Sequence, residues 1–237
     1  MSASEDSGHG TLKISEIFAS IQGEGPSAGK PATFLRVAGC NLHCQWCDTK
    51  YTWDWQNYDY SREVAITTVA AVRQRLLALE PRRLIITGGE PLLQQRALGR
   101  LLTMLSNDWV VEVETNGTQP PEPALLDRVN QWNVSPKLSN GGDPEDSRLK
   151  LPVLRAFAQH PNAWLKLVVQ SASEQREIDD LVSTSAWPKE RVLLMPEGQT
   201  AETLNSRGVW VTELAQQAGF GTSPRLHVAL WNGKRGV

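Results

Sequence analysis

The sequence predicts an α/β protein built as one barrel-like unit, and three observations carry that expectation. Short apolar or β-branched runs bounded by glycine or proline alternate along the chain with segments whose apolar residues recur every three or four positions, the pattern of parallel βαβ units. The chain has 237 residues, of which 40% are hydrophobic, enough for one sizeable core and a better fit to one domain than to two. The stretches richest in chemical groups fall at the carboxyl ends of the predicted strands, where ligands gather in such folds.

Taken in order, "LKISEIFASI" and "ATFLRVAG" read as strands. A helix is expected from Glu63 to Leu79, where Val69, Val72, Leu76 and Leu79 recur at helical spacing. The run "RLIITGGEP" is a buried strand entering a glycine turn, followed by a helix with Leu98, Leu101, Leu102 and Leu105 on one face. Strand "WVVEVETNG", a short helix near Pro123 to Val129 and strand "QWNVSPK" come next. In the exposed loop from Ser139 to Ser147, Asp143 is expected to cap a helix with Pro144 at its first position. That helix is interrupted at Pro152. Strand "AWLKLVVQ", a helix from about Glu174, strand "RVLLMPEG" and a helix from about Ala201 to Gln216 complete the alternation. Lys166 within "WLKLVV" reads as a strand lysine reaching solvent.

The formal charge is −2, which gives no general attraction to nucleic acid or anionic lipid. No apolar run approaches the roughly 18 residues of a membrane span, and "MSASEDSGHGT" lacks the basic and apolar blocks of a targeting segment. A cytoplasmic protein is expected, with residues 1–10 a flexible N-terminal segment and residues 11–237 a single domain. Nine tryptophans imply much buried or interface aromatic surface.

All three cysteines lie in "CNLHCQWC", at Cys40, Cys44 and Cys47. An odd count without a secretory signal argues against a disulfide framework. Three readings compete. A structural zinc site needs four nitrogen or sulfur ligands, and His43 is too close to Cys44 in sequence to complete the tetrahedron easily. Three ordinary buried thiols are the second reading. The third is an iron–sulfur cluster: four cysteines would close a four-iron cube, whereas three leave one iron open to a small molecule.

The CxxxCxxC spacing, with Trp46 before the last cysteine and "TGGEP" at Thr87 to Pro91, resembles the radical S-adenosylmethionine (SAM) superfamily. A narrower resemblance runs almost end to end. "IQGEG" (Ile21 to Gly25), "FLRVAGC", "WCDTKYTW", "ITGGEP", "ETNGT" (Glu114 to Thr118), "SPK" and the terminal "LWNGKRGV" are similar to the 7-carboxy-7-deazaguanine synthase family. The resemblance implies a partial (β/α) barrel of about six parallel strands, a [4Fe-4S] cluster on Cys40, Cys44 and Cys47 with one open iron, SAM, and Mg2+. It implies contraction of the ring of 6-carboxy-5,6,7,8-tetrahydropterin with loss of ammonia, on the route to queuosine and other 7-deazapurines. A 5′-deoxyadenosyl radical would take hydrogen from C6 and later return it. The resemblance also brings an electron donor such as flavodoxin and a homodimer. A glycyl-radical-enzyme activase shares the three-cysteine loop and is the alternative enzyme; a zinc-stabilised binding module is the alternative from another class.

Carried over residue by residue, the resemblance puts Trp46, Cys47 and Asp48 beside the SAM adenine, Gly89 at its methionine end, and Ser135, Pro136, Lys137, Met195, Pro196, Glu197 and Gly198 around the rest. The family tends to have glutamine where Met195 stands. Ile21, Gln22, Gly23, Glu24, Arg36, Thr87, His227 and the Val237 carboxylate would meet the substrate, and Thr49 the Mg2+; no side-chain acid or base is assigned. Physical argument supports part of this. Alternation in "TFLRVAG" puts Phe34, Arg36 and Ala38 on one face. If Leu35 and Val37 pack on helices, Arg36 faces the barrel interior, where a buried guanidinium demands an anion. That anion is the substrate carboxylate, or else Glu112 or Glu114. The glycines of "IQGEG" let the backbone come close to a ligand or merely form a tight turn, and the Glu24 carboxylate suits two N–H donors of an amino-pyrimidine edge. Trp231 is the expected apolar anchor for the tail.

Overall fold

A computed structural model describes residues 10–237; the expected flexible segment therefore lies, apart from Gly10, outside the described residues. The strands are β1 (Thr11–Ile21), β2 (Pro31–Val37), β3 (Ala65–Thr68), β4 (Arg83–Gly88), β5 (Val110–Thr115), β6 (Gln131–Val134), β7 (Ala163–Val169), β8 (Val192–Pro196) and β9 (Gly221–Thr222). They form one sheet in the order β3-β1-β2-β4-β5-β6-β7-β8-β9. From β2 to β9 all neighbours are parallel, while β1 runs antiparallel to β2 and β3. The sheet ends at β3 and β9 rather than closing. This is the partial barrel expected, its six full-length parallel strands extended by the two-residue β9.

The helices are α1 (Tyr60–Glu63), α2 (Val69–Leu77), α3 (Gln95–Thr103), α4 (Pro123–Leu126), α5 (Glu145–Arg148), α6 (Leu151–Ala158), α7 (Gln175–Ser185), α8 (Ala201–Ala218) and α9 (Leu226–Trp231). Several boundaries differ from expectation. The helix expected over residues 63–79 divides into α1, β3 and α2, because β-branched Ile66, Thr67 and Thr68 pair with β1 and the Thr68 hydroxyl then caps α2 by accepting from the Ala71 N–H. Pro144, not Asp143, is the N-cap of α5; the Asp143 carboxylate accepts instead from the His43 N–H at 3.0 Å. Pro152 sits in the first turn of α6, where its missing N–H costs nothing, so it starts a helix rather than interrupting one. The helix α9 was not expected.

Outward-facing Leu35, Val37, Leu84, Ile86, Val111, Val113, Leu165, Leu167 and Val169 are buried against the helices, meeting Val72, Leu76, Leu98, Leu101, Phe157 and Leu181 in one core. Burying a side chain of this size contributes about 1.5–3 kcal/mol, so the helical face secures the barrel. The opposite strand face is polar: Arg36, Thr87, Glu112, Glu114, Asn133 and Lys166 point inward, and of these Glu112 is fully buried. Stability and chemistry thus occupy opposite faces of the same strands. No helix among the described residues is long and apolar enough to cross a membrane.

Candidate active site

One cavity of about 300 Å³ opens at the carboxyl ends of the parallel strands and under β1. The loop after β2 brings Cys40, Cys44 and Cys47 to its wall as free thiols. The loop has little freedom. Gln45 N donates to Gly141 O at 2.9 Å, the Trp46 indole donates to Asn140 Oδ1 at 3.1 Å, and Lys137 Nζ lies 5.5 Å from the Trp46 ring centre. Two sulfurs already receive donors: Leu42 N points at Cys40 Sγ and the Trp53 indole N–H at Cys47 Sγ, each at 3.4 Å. Burial pushes the Cys40 thiol up to about 12 and the Cys44 thiol up to about 11. Such sulfurs ionise when a cationic centre is bound and its charge replaces lost solvation. Among the described residues no three histidine, cysteine or carboxylate side chains are gathered around a single ion-sized point.

The glycine turn after β4 meets this loop backbone to backbone. Gly89 N donates to Val37 O and Glu90 N to Gly39 O. A Cβ on Gly89 would lie 2.0 Å from Gly39 O, and one on Gly88, whose φ is +137°, 2.1 Å from Val37 O; no other residue fits either position. The fully buried Glu90 carboxylate accepts from Leu92 N, Thr115 Oγ1 and Asn116 N, joining "GGEP" to "ETNGT". Three thiols on one loop, two of them receiving N–H donors, beside a cradle that any Cβ would fill, suit an iron–sulfur cluster and the small molecule on its open iron.

Across the cavity the Glu24 carboxylate is held by two cations and faces an imidazole. Lys166 Nζ and Arg225 Nε take one oxygen each, the latter at 3.1 Å, and His227 Nε2 is 3.9 Å away. Burial pushes the Glu24 carboxyl up, but Lys166, Arg225 and His227 pull it well below the usual carboxylate range. Burial holds His227 below its ordinary value despite Glu24. Arg225 also pairs with Asp48 and donates to Gly198 O. Gln22 Nε2 and Thr87 Oγ1 both donate to Glu114, at 3.1 and 2.8 Å. The close approach within "IQGEG" is to α9: a Cβ on Gly23 would lie 2.1 Å from His227 Nδ1. Thr49 Oγ1 is 3.6 Å from Cys47 Sγ.

Of the residues expected in the site, Ile21, Gln22, Gly23, Glu24, Arg36, Trp46, Asp48, Thr49, Thr87, Gly89, Ser135, Lys137, Met195, His227 and Val237 line this cavity with the cysteines. Pro136, Pro196, Glu197 and Gly198 are not among the lining residues, and Glu197 pairs with Arg207 of α8. Three expectations need correction. Lys166 does not reach solvent; it is 4% exposed because Leu165 and Leu167 take the helical face. The internal partner of Arg36 is Glu16, at 2.8 Å, since Glu112 pairs with Arg83 and accepts from Ser27 while Glu114 receives Gln22 and Thr87. Trp231 is 37% exposed and does not anchor the tail. Arg235 does: it lies 3.6 Å from the Tyr51 ring centre and pairs with Glu16 at 3.2 Å and Glu63 at 2.9 Å. Sequence reasoning thus missed Glu16, Tyr51, Lys166, Arg225 and Arg235. For Lys166 a signal existed, the same alternation that turns Arg36 inward; none marked Arg225.

An open parallel barrel with three thiols and a backbone cradle at the rim of one cavity defines a radical SAM enzyme, and relatives make the assignment narrower. A family of 4Fe-4S single cluster domains matches residues 21–119. The 7-carboxy-7-deazaguanine synthase of Pyrobaculum aerophilum is 40% identical over 95% of this chain and 97% of its own; that of Halobacterium salinarum is 35% identical over 93% and 91%. Among solved structures, QueE from Escherichia coli superposes with a TM-score of 0.65 at 25% identity, over 92% of this chain and 95% of its own. The chain belongs to the 7-carboxy-7-deazaguanine synthase family, radical SAM enzymes of queuosine biosynthesis. Streptococcus suis SuiB, at 13% identity and a TM-score of 0.53 over 80% of this chain and 48% of its own, shares the fold alone.

Proposed function

We propose that the cavity binds 6-carboxy-5,6,7,8-tetrahydropterin beside SAM and Mg2+ and contracts it to 7-carboxy-7-deazaguanine with release of ammonia, residues 11–237 acting as one unit. The observation that carries this reading is Arg36, whose guanidinium lines the same cavity as the three thiols and suits a carboxylate. When bound, the cluster and SAM supply one-electron cleavage of a sulfonium and hence hydrogen abstraction from an unactivated carbon. The chain's own residues then have three tasks. Arg36 holds the substrate carboxylate. Glu24, kept ionised by Lys166 and Arg225, accepts N–H donors from the amino-pyrimidine edge, while His227, neutral near pH 7, adds a polar contact without an extra charge. Phe18 and Phe34, stacked with ring centres 5.0 Å apart, line the cavity with an apolar surface that excludes water.

Thr49 offers one oxygen to Mg2+, an ion that keeps waters and seldom has an all-protein cage. Cys40, Cys44 and Cys47 hold the cluster, and Trp46, Gly89, Ser135 and Lys137 border SAM, with Met195 giving an apolar contact where the family tends to have glutamine. A cytoplasmic one-electron donor such as flavodoxin and a second copy of the chain are the expected partners; exposed Trp55, Tyr58 and Tyr60 support a protein contact. The test is anaerobic reconstitution followed by turnover with the carboxypterin, SAM, Mg2+ and dithionite. The deazaguanine and one equivalent of ammonia are expected; a cluster-loaded protein that cleaves SAM yet leaves the pterin unchanged would overturn the proposal.

A further inference from the structure

Glu16 occupies a place that the family's motifs do not explain. Its Oε2 accepts from both Arg36 Nε and the Tyr51 hydroxyl at 2.8 Å, and its Oε1 accepts from Arg235 Nε at 3.2 Å. All four residues line the cavity. Glu16 gets there through a backbone irregularity: Ile14 pairs with Val37 but Glu16 with Arg36, so Ser15 is an extra residue in β1. Such a bulge re-aims the side chain beside it at the cost of a local break in the ladder, and here it leaves the Ser15 hydroxyl buried with no partner. Without the bulge, Ser15 would stand opposite Arg36.

A guanidinium can take a carboxylate side-on, through Nε and one Nη, or end-on, through both Nη groups. Glu16 takes only the Nε edge. The two Nη groups of Arg36 make no hydrogen bond or ion pair with the described residues, so one end of a buried guanidinium is left free at the cavity wall. Burial pushes the Glu16 carboxyl up, but Arg36, Tyr51 and Arg235 together hold it below its ordinary value.

We propose that Glu16 is a positioning residue for substrate: it pins the Nε edge of Arg36, leaves the end-on fork for the carboxylate of the incoming pterin, and through Arg235 ties that clamp to the C-terminal tail. The inference rests on the proposed function, from which it takes the carboxylated substrate. With Glu16 in place the fork has one orientation and the carboxylate one angle of approach. Without it, the Arg36 side chain swings between rotamers and the bidentate contact is lost for most of the time.

The test is anaerobic titration calorimetry on cluster-loaded, SAM-bound protein, with 6-carboxy-5,6,7,8-tetrahydropterin and with the same tetrahydropterin lacking the carboxylate. In Glu16→Gln the dissociation constant of the carboxylated pterin is expected to rise about tenfold, while those of the decarboxylated pterin and of SAM stay at the wild-type value. Tyr51→Phe, which removes one donor from Glu16 but keeps the ring under Arg235, is expected to give a loss of the same selectivity, about threefold, and serves as the test if Glu16→Gln does not fold. Equal losses for both pterins would make the role structural, and unchanged or tighter binding of the carboxylated one would make Glu16 idle or a competitor; each overturns the inference alone. A wild-type protein that binds neither pterin overturns the proposed function and this inference together.

Discussion

Replacing Lys166 with methionine removes a charge from the barrel interior while keeping most of the side-chain volume, and the consequence can be worked out. The side chains of Lys166 and Glu24 are 6% and 13% exposed. Breaking a buried pair by deleting one partner costs about 3–5 kcal/mol when the other charge is left alone. Here Arg225 remains on the second Glu24 oxygen, so Lys166→Met is expected to cost about 2–3 kcal/mol at neutral pH. The acid limb carries a second signature. The Glu24 carboxyl lies below its ordinary value of 4.5 in the folded protein, so its contribution is fully present above that value and is lost as the pH falls toward the folded one. By about pH 3.5 the wild type will have lost about 1.4 kcal/mol through this residue alone. In Lys166→Met the strongest opposing charge is gone while Arg225 stays, the folded carboxyl rises toward 4.5, and the slope becomes shallower. Urea unfolding of the metal-free protein near pH 7 and near pH 3.5, followed by circular dichroism, measures both quantities. A variant as stable as wild type at neutral pH, with an unchanged acid slope, would refute the buried pair.

Four further outcomes follow from the same geometry. Cys40→Ser, Cys44→Ser and Cys47→Ser should each lose bound iron and SAM cleavage while keeping the wild-type circular dichroism spectrum, because the helical core does not involve the loop; full iron content in any one of them would remove that cysteine from the cluster. Gly89→Ala drives a Cβ into Gly39 O and should weaken SAM binding by at least roughly tenfold, as measured by equilibrium dialysis. Arg36→Lys should lose substrate affinity nearly as badly as Arg36→Ala, since a lysine has no fork, with SAM affinity intact in both. Arg235→Met removes two partly exposed ion pairs and the contact with Tyr51, together about 1–2 kcal/mol, so carboxypeptidase should trim residues 236 and 237 roughly tenfold faster, whereas an unchanged rate would mean that the tail is held elsewhere.

How far the sequence alone reached differs between the two faces of the sheet. Alternation along β2 turned Arg36 inward, because Leu35 and Val37 announce the helical face; the same logic along β7, where Leu165 and Leu167 flank Lys166, carries equal weight and contradicts a solvent-reaching lysine. Partners were harder. Glu24 and Lys166 are 142 residues apart and Arg225 and Asp48 are 177 apart, and no local pattern encodes such a pairing. Glu16 and Arg36 are neighbours only through an antiparallel register that a bulge has shifted. The strand β3 was hidden because its four residues are mostly exposed and show no burial alternation, and Trp231 misled because an aromatic side chain near the end of the sequence looks like an anchor until the face it presents is known. The cysteine loop and glycine turn were legible throughout, their spacing and backbone demands being local.

The contact between Gly39 and Gly89 has a bearing on how this enzyme can change over time. The two loops that border the reaction are separated by main-chain atoms alone, so mutation may redecorate either of them while the gap between them is held constant by the dimensions of the peptide unit. A gap set by side chains would drift with every substitution. Here the separation is inherited with the backbone, and under the proposed function substrate preference is free to evolve on the far wall, around Glu24 and Arg36, without moving the two loops.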